Sequence, residues 1–189
     1  GCSRCCHGMG NSIILDPYDV YRMTTGMGKS MQELLAASVE LNVVDGVILP
    51  NLKMQGTKEA CAYLDEEGRC SIHPYRPGIC RLFPLGRYYE NGGFSYFLQT
   101  GECAKENRSK IKVSKWIDTP DLTRNQQFTL QWHDLLHAME ERLTGEDEGK
   151  QREENLLLLR LFYLLPYKGT TDFYSQFMER MEYWNEQIR

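Results

Sequence analysis

The segment Gly68-Arg69-Cys70-Ser71-Ile72-His73-Pro74-Tyr75-Arg76-Pro77-Gly78-Ile79-Cys80-Arg81-Leu82-Phe83-Pro84 places two cysteines among three prolines. Proline fixes φ and has no amide hydrogen, so no long helix or strand can run through Pro74, Pro77 and Pro84. Cys80 is therefore expected on a tight loop or a single helical turn. Residues 61–64 and 69–73 flank the turn-like Asp65-Glu66-Glu67-Gly68, which predicts Cys61 and Cys70 on opposite arms of a hairpin. A stretch this irregular needs some other source of order, and its sulfur atoms offer one.

Seven cysteines stand at Cys2, Cys5, Cys6, Cys61, Cys70, Cys80 and Cys103, and none follows. No basic segment with an apolar core and a cleavage site opens the chain, so a cytoplasmic, reducing setting is expected. There, an odd number of clustered thiols points to metal or redox chemistry rather than to a closed set of disulfides. Cys2-Ser3-Arg4-Cys5 has the spacing that lets two thiolates of one turn face a single metal. Cys6 follows at once, and neighbouring side chains of an extended backbone point apart, which favours two sites or one multinuclear site. Structural zinc usually takes two such knuckles, whereas the later cysteines are separated by eight, nine and 22 residues. An iron–sulfur cluster accepts four thiolates from dispersed positions and is slightly favoured over zinc. The plainer reading, that a free cysteine is a small buried apolar residue, weighs most on the isolated Cys61 and Cys103.

Cys2-Ser3-Arg4-Cys5-Cys6, followed by Gly68-Arg69-Cys70-Ser71-Ile72 and by Arg76-Pro77-Gly78-Ile79-Cys80-Arg81-Leu82-Phe83-Pro84 in one register, resembles the YkgJ-type cysteine-cluster family, named for a CxxCxxCC motif. The resemblance covers residues 2–103. It implies a zinc- or iron-chelating domain with the cysteines as ligands, and most members have no established reaction. The motif's first cysteine would fall two positions before Gly1, and a cysteine there would bring the count to eight. Flagellin lysine methylases bear loosely similar clusters, which makes a protein methyltransferase with a cluster cofactor one alternative. A zinc-stabilised scaffold that binds a protein partner is another, and whether the chain is an enzyme stays open.

Around the cysteines, Arg76 and Arg81 can lower thiolate pKa or donate to cluster sulfurs, or can simply be solvated. His7 and His73 can replace a thiolate, as imidazole does in mixed sites. Other motifs read as structure. Gly26-Met27-Gly28-Lys29-Ser30 imitates the end of a phosphate-binding loop but lacks the earlier glycine and the preceding strand. His133-Asp134-Leu135-Leu136-His137 sets two imidazoles on one helical face but has Asp where a zinc hydrolase needs Glu. Lys105, Arg108, Lys110, Lys112 and Lys115, beside Trp116, read as a solvated edge whose lysines discourage strand pairing.

The remainder of the chain sets the class. Its 189 residues can bury a core without staples, and 41% hydrophobic with 25% charged residues is globular composition. Twenty-two basic against 26 acidic residues argue against nucleic acid as the main partner. The ten-residue run 156–165, broken by Arg160, is half of what a bilayer span needs. Asp16-Pro17 predicts a helix that stops at Gly26, and Ser30 with Glu33 forms a capping box for a second. Residues 43–49, ending at Pro50, read as a strand or a buried extended segment. Asn91-Gly92-Gly93 joins the arms of a further hairpin. Helical spacing then governs Phe128, Trp132, Leu135, Leu136, Met139 and Leu143, and Phe173, Phe177, Met181, Trp184 and Ile188; the run 156–165 reads as a third, more deeply buried helix, with 145–154 an exposed charged connector. The expected fold is α+β: a small loop-rich, metal-organised cysteine domain of short helices and hairpins over residues 1–118, and a C-terminal three-helix unit over 119–189 packed on it. The first stretch carries 14 basic and 13 acidic residues, the second 8 and 13.

Overall fold

Helix α1, Pro17–Met27, opens the ordered core in the computed structural model, which describes residues 3–103 and 109–188. Asp16 accepts from the Asp19 amide at 2.8 Å while the Asp19 carboxylate accepts from the Asp16 amide at 3.2 Å, a reciprocal cap at the expected place. The stop falls at Gly28 rather than at Gly26. Gly28 takes the left-handed conformation that ends helices, whereas Gly26 lies inside the helix because the Tyr75 ring occupies the space a β-carbon would need. Helix α2, Met31–Ala37, starts from the Ser30–Glu33 capping box.

The expected strand at 43–49 is instead a hairpin: β1, Val39–Val44, pairs antiparallel with β2, Val47–Leu52. Asp45 and Gly46 turn the chain with φ of 50° and 80°, a two-residue loop whose twist matches the flanking strands. An Asp-Gly turn hidden in an apolar run explains the misreading. Two-residue strands β3, Met54–Gln55, and β4, Ala60–Cys61, form a second antiparallel pair. Cys61 thus pairs with Met54 in this second hairpin, and of the hairpin expected across residues 65–68 a single bridge forms, from Leu64 to Cys70. Helix α3, Gly78–Leu82, is the single turn expected around Cys80. Strands β5, Leu85–Glu90, and β6, Gly93–Leu98, close the predicted hairpin through Asn91 and Gly92.

Helix α4, Val113–Ile117, follows, so residues 110–115 belong to a loop and a short helix rather than to a strand edge. Lys105 and Arg108 lie outside the described residues. Helix α5, Leu122–Leu143, and helix α7, Phe173–Gln187, match the apolar spacing. Between them α6 spans Glu148–Leu159, so much of the supposed connector is helix. Asp147 caps it by accepting from the amides of Gly149 and Lys150, and strong helix formers follow. A π-helical turn, Arg160–Leu164, completes it, and the expected burial of 156–165 is incomplete, with Leu156 and Leu165 exposed.

One apolar core draws on both ends of the chain. Leu15, Val20, Met23, Leu34 and Leu52 are buried with Phe128, Phe162, Tyr163, Phe177 and Trp184. The buried Tyr163 hydroxyl donates to the Leu15 carbonyl at 3.0 Å, and Asn155 joins α6 to the first hairpin by accepting from the Ile48 amide and donating to the Gly46 carbonyl. No described helix is long and apolar enough to cross a membrane.

Candidate metal centre

Cys5, Cys6, Cys61, Cys70 and Cys80 line a single cavity of about 820 Å³. Four separate pieces of chain bring them there. Cys5 and Cys6 sit on a 3₁₀ turn, Arg4–Cys6, closed by the Cys6 amide donating to the Ser3 carbonyl at 2.8 Å. This turn is zipped to β4, since His7 bridges to Ala60 and the Gly8 amide donates to the Glu59 carbonyl. Cys61 ends β4. Cys70 follows the Asp65 turn, in which the Asp65 carboxylate accepts from the Arg69 amide at 2.6 Å, and the Tyr63 carbonyl accepts from both the amide and the hydroxyl of Ser71.

Cys80 is placed by a segment tied at several points. The Gly78 amide, at the start of α3, donates to the Asp19 carboxylate at 2.7 Å, so the residue that caps α1 also holds the cysteine loop. Arg81 is buried and donates to three backbone carbonyls, those of Pro74, Arg76 and Asp118. Arg22 shares the Pro74 carbonyl. The 3₁₀ turn His73–Tyr75 lies against α1, with Tyr75 over Gly26. The two arginines around Cys80 therefore differ: Arg81 is a strut for the loop, and Arg76 lines the cavity and favours the anions of Cys5 and Cys70. The Gly78 amide that donates to Asp19 and the Asp118 carbonyl that accepts from Arg81 leave no mark in local spacing, because they lie 59 and 37 residues away.

The electrostatics follow from crowding. Cys6 donates to Cys5, so proton loss from this coupled pair begins at Cys5, held at about 6 by that bond against the cost of burial, while Cys6 is pushed up. Burial raises Cys61, Cys70 and Cys80, and neighbouring thiols raise each further. Cys80 is moved most of these three, with the Asp19 carboxylate adding to the effect of burial. Four of the five thiols thus resist ionisation. A cation supplies the opposite charge that lets such a group ionise together, and soft sulfur donors suit zinc and iron, so the donor set fits either. The sulfurs line the cavity without closing on one point: among the described residues no three Cys, His, Asp or Glu side chains form a ready-made ion site.

The remaining candidates divide between the cavity and other places. Cys103 is half-buried and is not among the residues lining the cavity; Cys2 lies outside the described residues. His73 lines the cavity and its Nε2 meets Arg76 Nη1 at 3.0 Å, a neighbour that lowers its pKa. His7 pairs through Nδ1 with the Ser3 carbonyl. His133 stacks on Tyr89 with ring centres 3.8 Å apart, so the first imidazole of the helical pair packs the β5–β6 hairpin onto α5. Trp116, read only as a neighbour of lysines, forms part of the cavity wall.

Comparison with curated proteins finds no match to the chain, and comparison with solved structures finds none either. A family model does match, over residues 1–108, under the description "Putative zinc- or iron-chelating domain", and these residues include all seven cysteines. Five thiols converging on one cavity accord with that match, and the chain belongs to the CxxCxxCC family.

Proposed function

We propose that the chain binds metal through Cys5, Cys6, Cys61, Cys70 and Cys80, joined by Cys2 and Cys103, and uses it in a redox, electron-transfer or metal-handling role. The observation that carries the reading is the meeting of five thiols from four chain segments on one cavity. Five sulfurs exceed the four of a closed mononuclear zinc shell, which favours an iron–sulfur cluster, with zinc the alternative. When bound, a cluster supplies one-electron chemistry and zinc supplies cross-linking of the loops. The chain's own residues have separate tasks. The cysteines give up protons, Arg76 offsets the resulting negative charge, and Ile13, Leu52, Ile72 and Phe83 give the cavity part of its apolar lining.

Anaerobic purification followed by metal and labile-sulfide analysis tests this. Iron with sulfide in stoichiometric amount is the expected result, zinc without sulfide would select the alternative, and neither would overturn metal binding. Cys70→Ser and Cys80→Ser should each lower metal per chain and lower the melting temperature, because bound metal contributes to folding free energy.

A further inference from the structure

Residues 109–116 are exposed throughout and contain Lys110, Lys112 and Lys115 with no acidic residue among them. Among the described residues none of these lysines has a carboxylate within 4.0 Å. Large apolar side chains are interleaved with them: Ile111 is 53% exposed, Val113 37% and Trp116 41%. Val113 and Trp116, three apart on α4, share a face. Ile79, 40% exposed and adjacent to Cys80, emerges on α3, which packs against α4, and both Ile79 and Trp116 line the cysteine cavity.

A scattered exposed apolar residue is ordinary, but this rim has an anchor held in place. The Trp116 Nε1–H lies 3.2 Å from the carbonyls of both Leu82 and Phe83, which fixes the indole while leaving part of it in water. A rigid, half-exposed tryptophan among aliphatic side chains, flanked by lysines that lack counter-charges among the described residues, is the composition of a protein-binding hot spot with a cationic border. We propose that this rim docks a protein partner whose matching face carries carboxylates around an apolar centre. Nucleic acid is disfavoured by the isoleucine and valine in the patch and by the net charge of −4. A lipid surface is disfavoured because α4 has five residues, too few to bury an amphipathic face in a bilayer. The proposal goes beyond metal binding and does not depend on it.

The test uses the full chain as purified and a fluorescein-labelled peptide in which glutamates flank a short leucine–phenylalanine centre, read by anisotropy. A peptide with glutamine for each glutamate is the control. Saturable binding of the acidic peptide alone is expected, weakening as salt is raised. The triple variant Lys110→Gln, Lys112→Gln, Lys115→Gln should lose about tenfold in affinity, as three rim charges together can supply. Its substituted side chains are all exposed, and an unchanged melting curve and metal content would separate this loss from a failure of the fold or of the metal reading. Absent binding, equal binding to the triple variant, or tighter binding to phosphatidylserine vesicles or to poly-dT would overturn the proposal. So would salt-sensitive self-association in sedimentation velocity, which would identify the occupant as a second copy of the chain.

Discussion

Gly26 shows how a single missing side chain ties the cysteine loop to the rest of the molecule. In an exposed helix, replacing glycine by alanine stabilises by roughly 0.5–1 kcal/mol. Here a β-carbon at position 26 would stand 2.7 Å from Tyr75 Cγ and nearer still to the ring's edge. Gly26→Ala should therefore destabilise by about 1–3 kcal/mol, the range for overpacking, and urea denaturation followed by circular dichroism gives the sign directly. A stabilised variant would mean that Tyr75 moves aside freely. Arg81 makes a related point. Its position beside a cysteine suggests thiolate chemistry, but the structure commits its three donors to backbone carbonyls and leaves Arg76 facing the sulfurs.

Among the elements, α7 depends on its cap. Asp172 accepts from the Ser175 amide at 2.8 Å and pairs with Arg124 at 2.6 Å. Burial acts against its charge, but the Arg124 guanidinium and the Ser175 bonds hold the carboxyl below its usual range. A carboxyl lowered on folding stabilises fully above its unfolded pKa of about 3.9, and that contribution disappears as pH falls through the lower folded value. Asp172→Ala should cost about 1 kcal/mol near neutral pH, and the gap from the parent protein should narrow at about pH 2. Urea titrations at both pH values measure it, and a gap independent of pH would remove the charge from the account. The elements that were readable in sequence share this locality. The Asp16–Asp19 and Ser30–Glu33 boxes and the Asn91-Gly92 turn each involve residues within a few positions of one another. Where a local signal lay inside a longer apolar pattern, as Asp45-Gly46 does between Val44 and Val47, the period of the run concealed it.

For the whole molecule, the shared core makes the cysteine-bearing half dependent on the helices after it. Leu15, Met23 and Leu34 have at most 1% exposure and belong to one cluster with Phe162, Tyr163 and Phe177. Residues 1–118 expressed alone would uncover that face, at roughly 1.5–3 kcal/mol for each large apolar side chain returned to water. The fragment should lack a cooperative melting transition and should bind a hydrophobic dye. A sharp transition like that of the full chain would show instead that bound metal and the hairpins suffice for folding.

The amino-acid sequence alone determined the chemistry and the local starts: seven thiols in the first 103 residues, the capped helices α1 and α2, and the apolar stripes of α5 and α7. Residue type and short spacing carry that information. Which thiols meet was decided by tertiary structure, because Cys5 reaches Cys61 through the pairing of Gly8 with Glu59, and Cys80 is placed by Asp19, Gly26 and Arg81 meeting Gly78, Tyr75 and Asp118, all tens of residues away. A contact of that kind is specified by three-dimensional packing and hydrogen-bond satisfaction, and neither has a period along the chain.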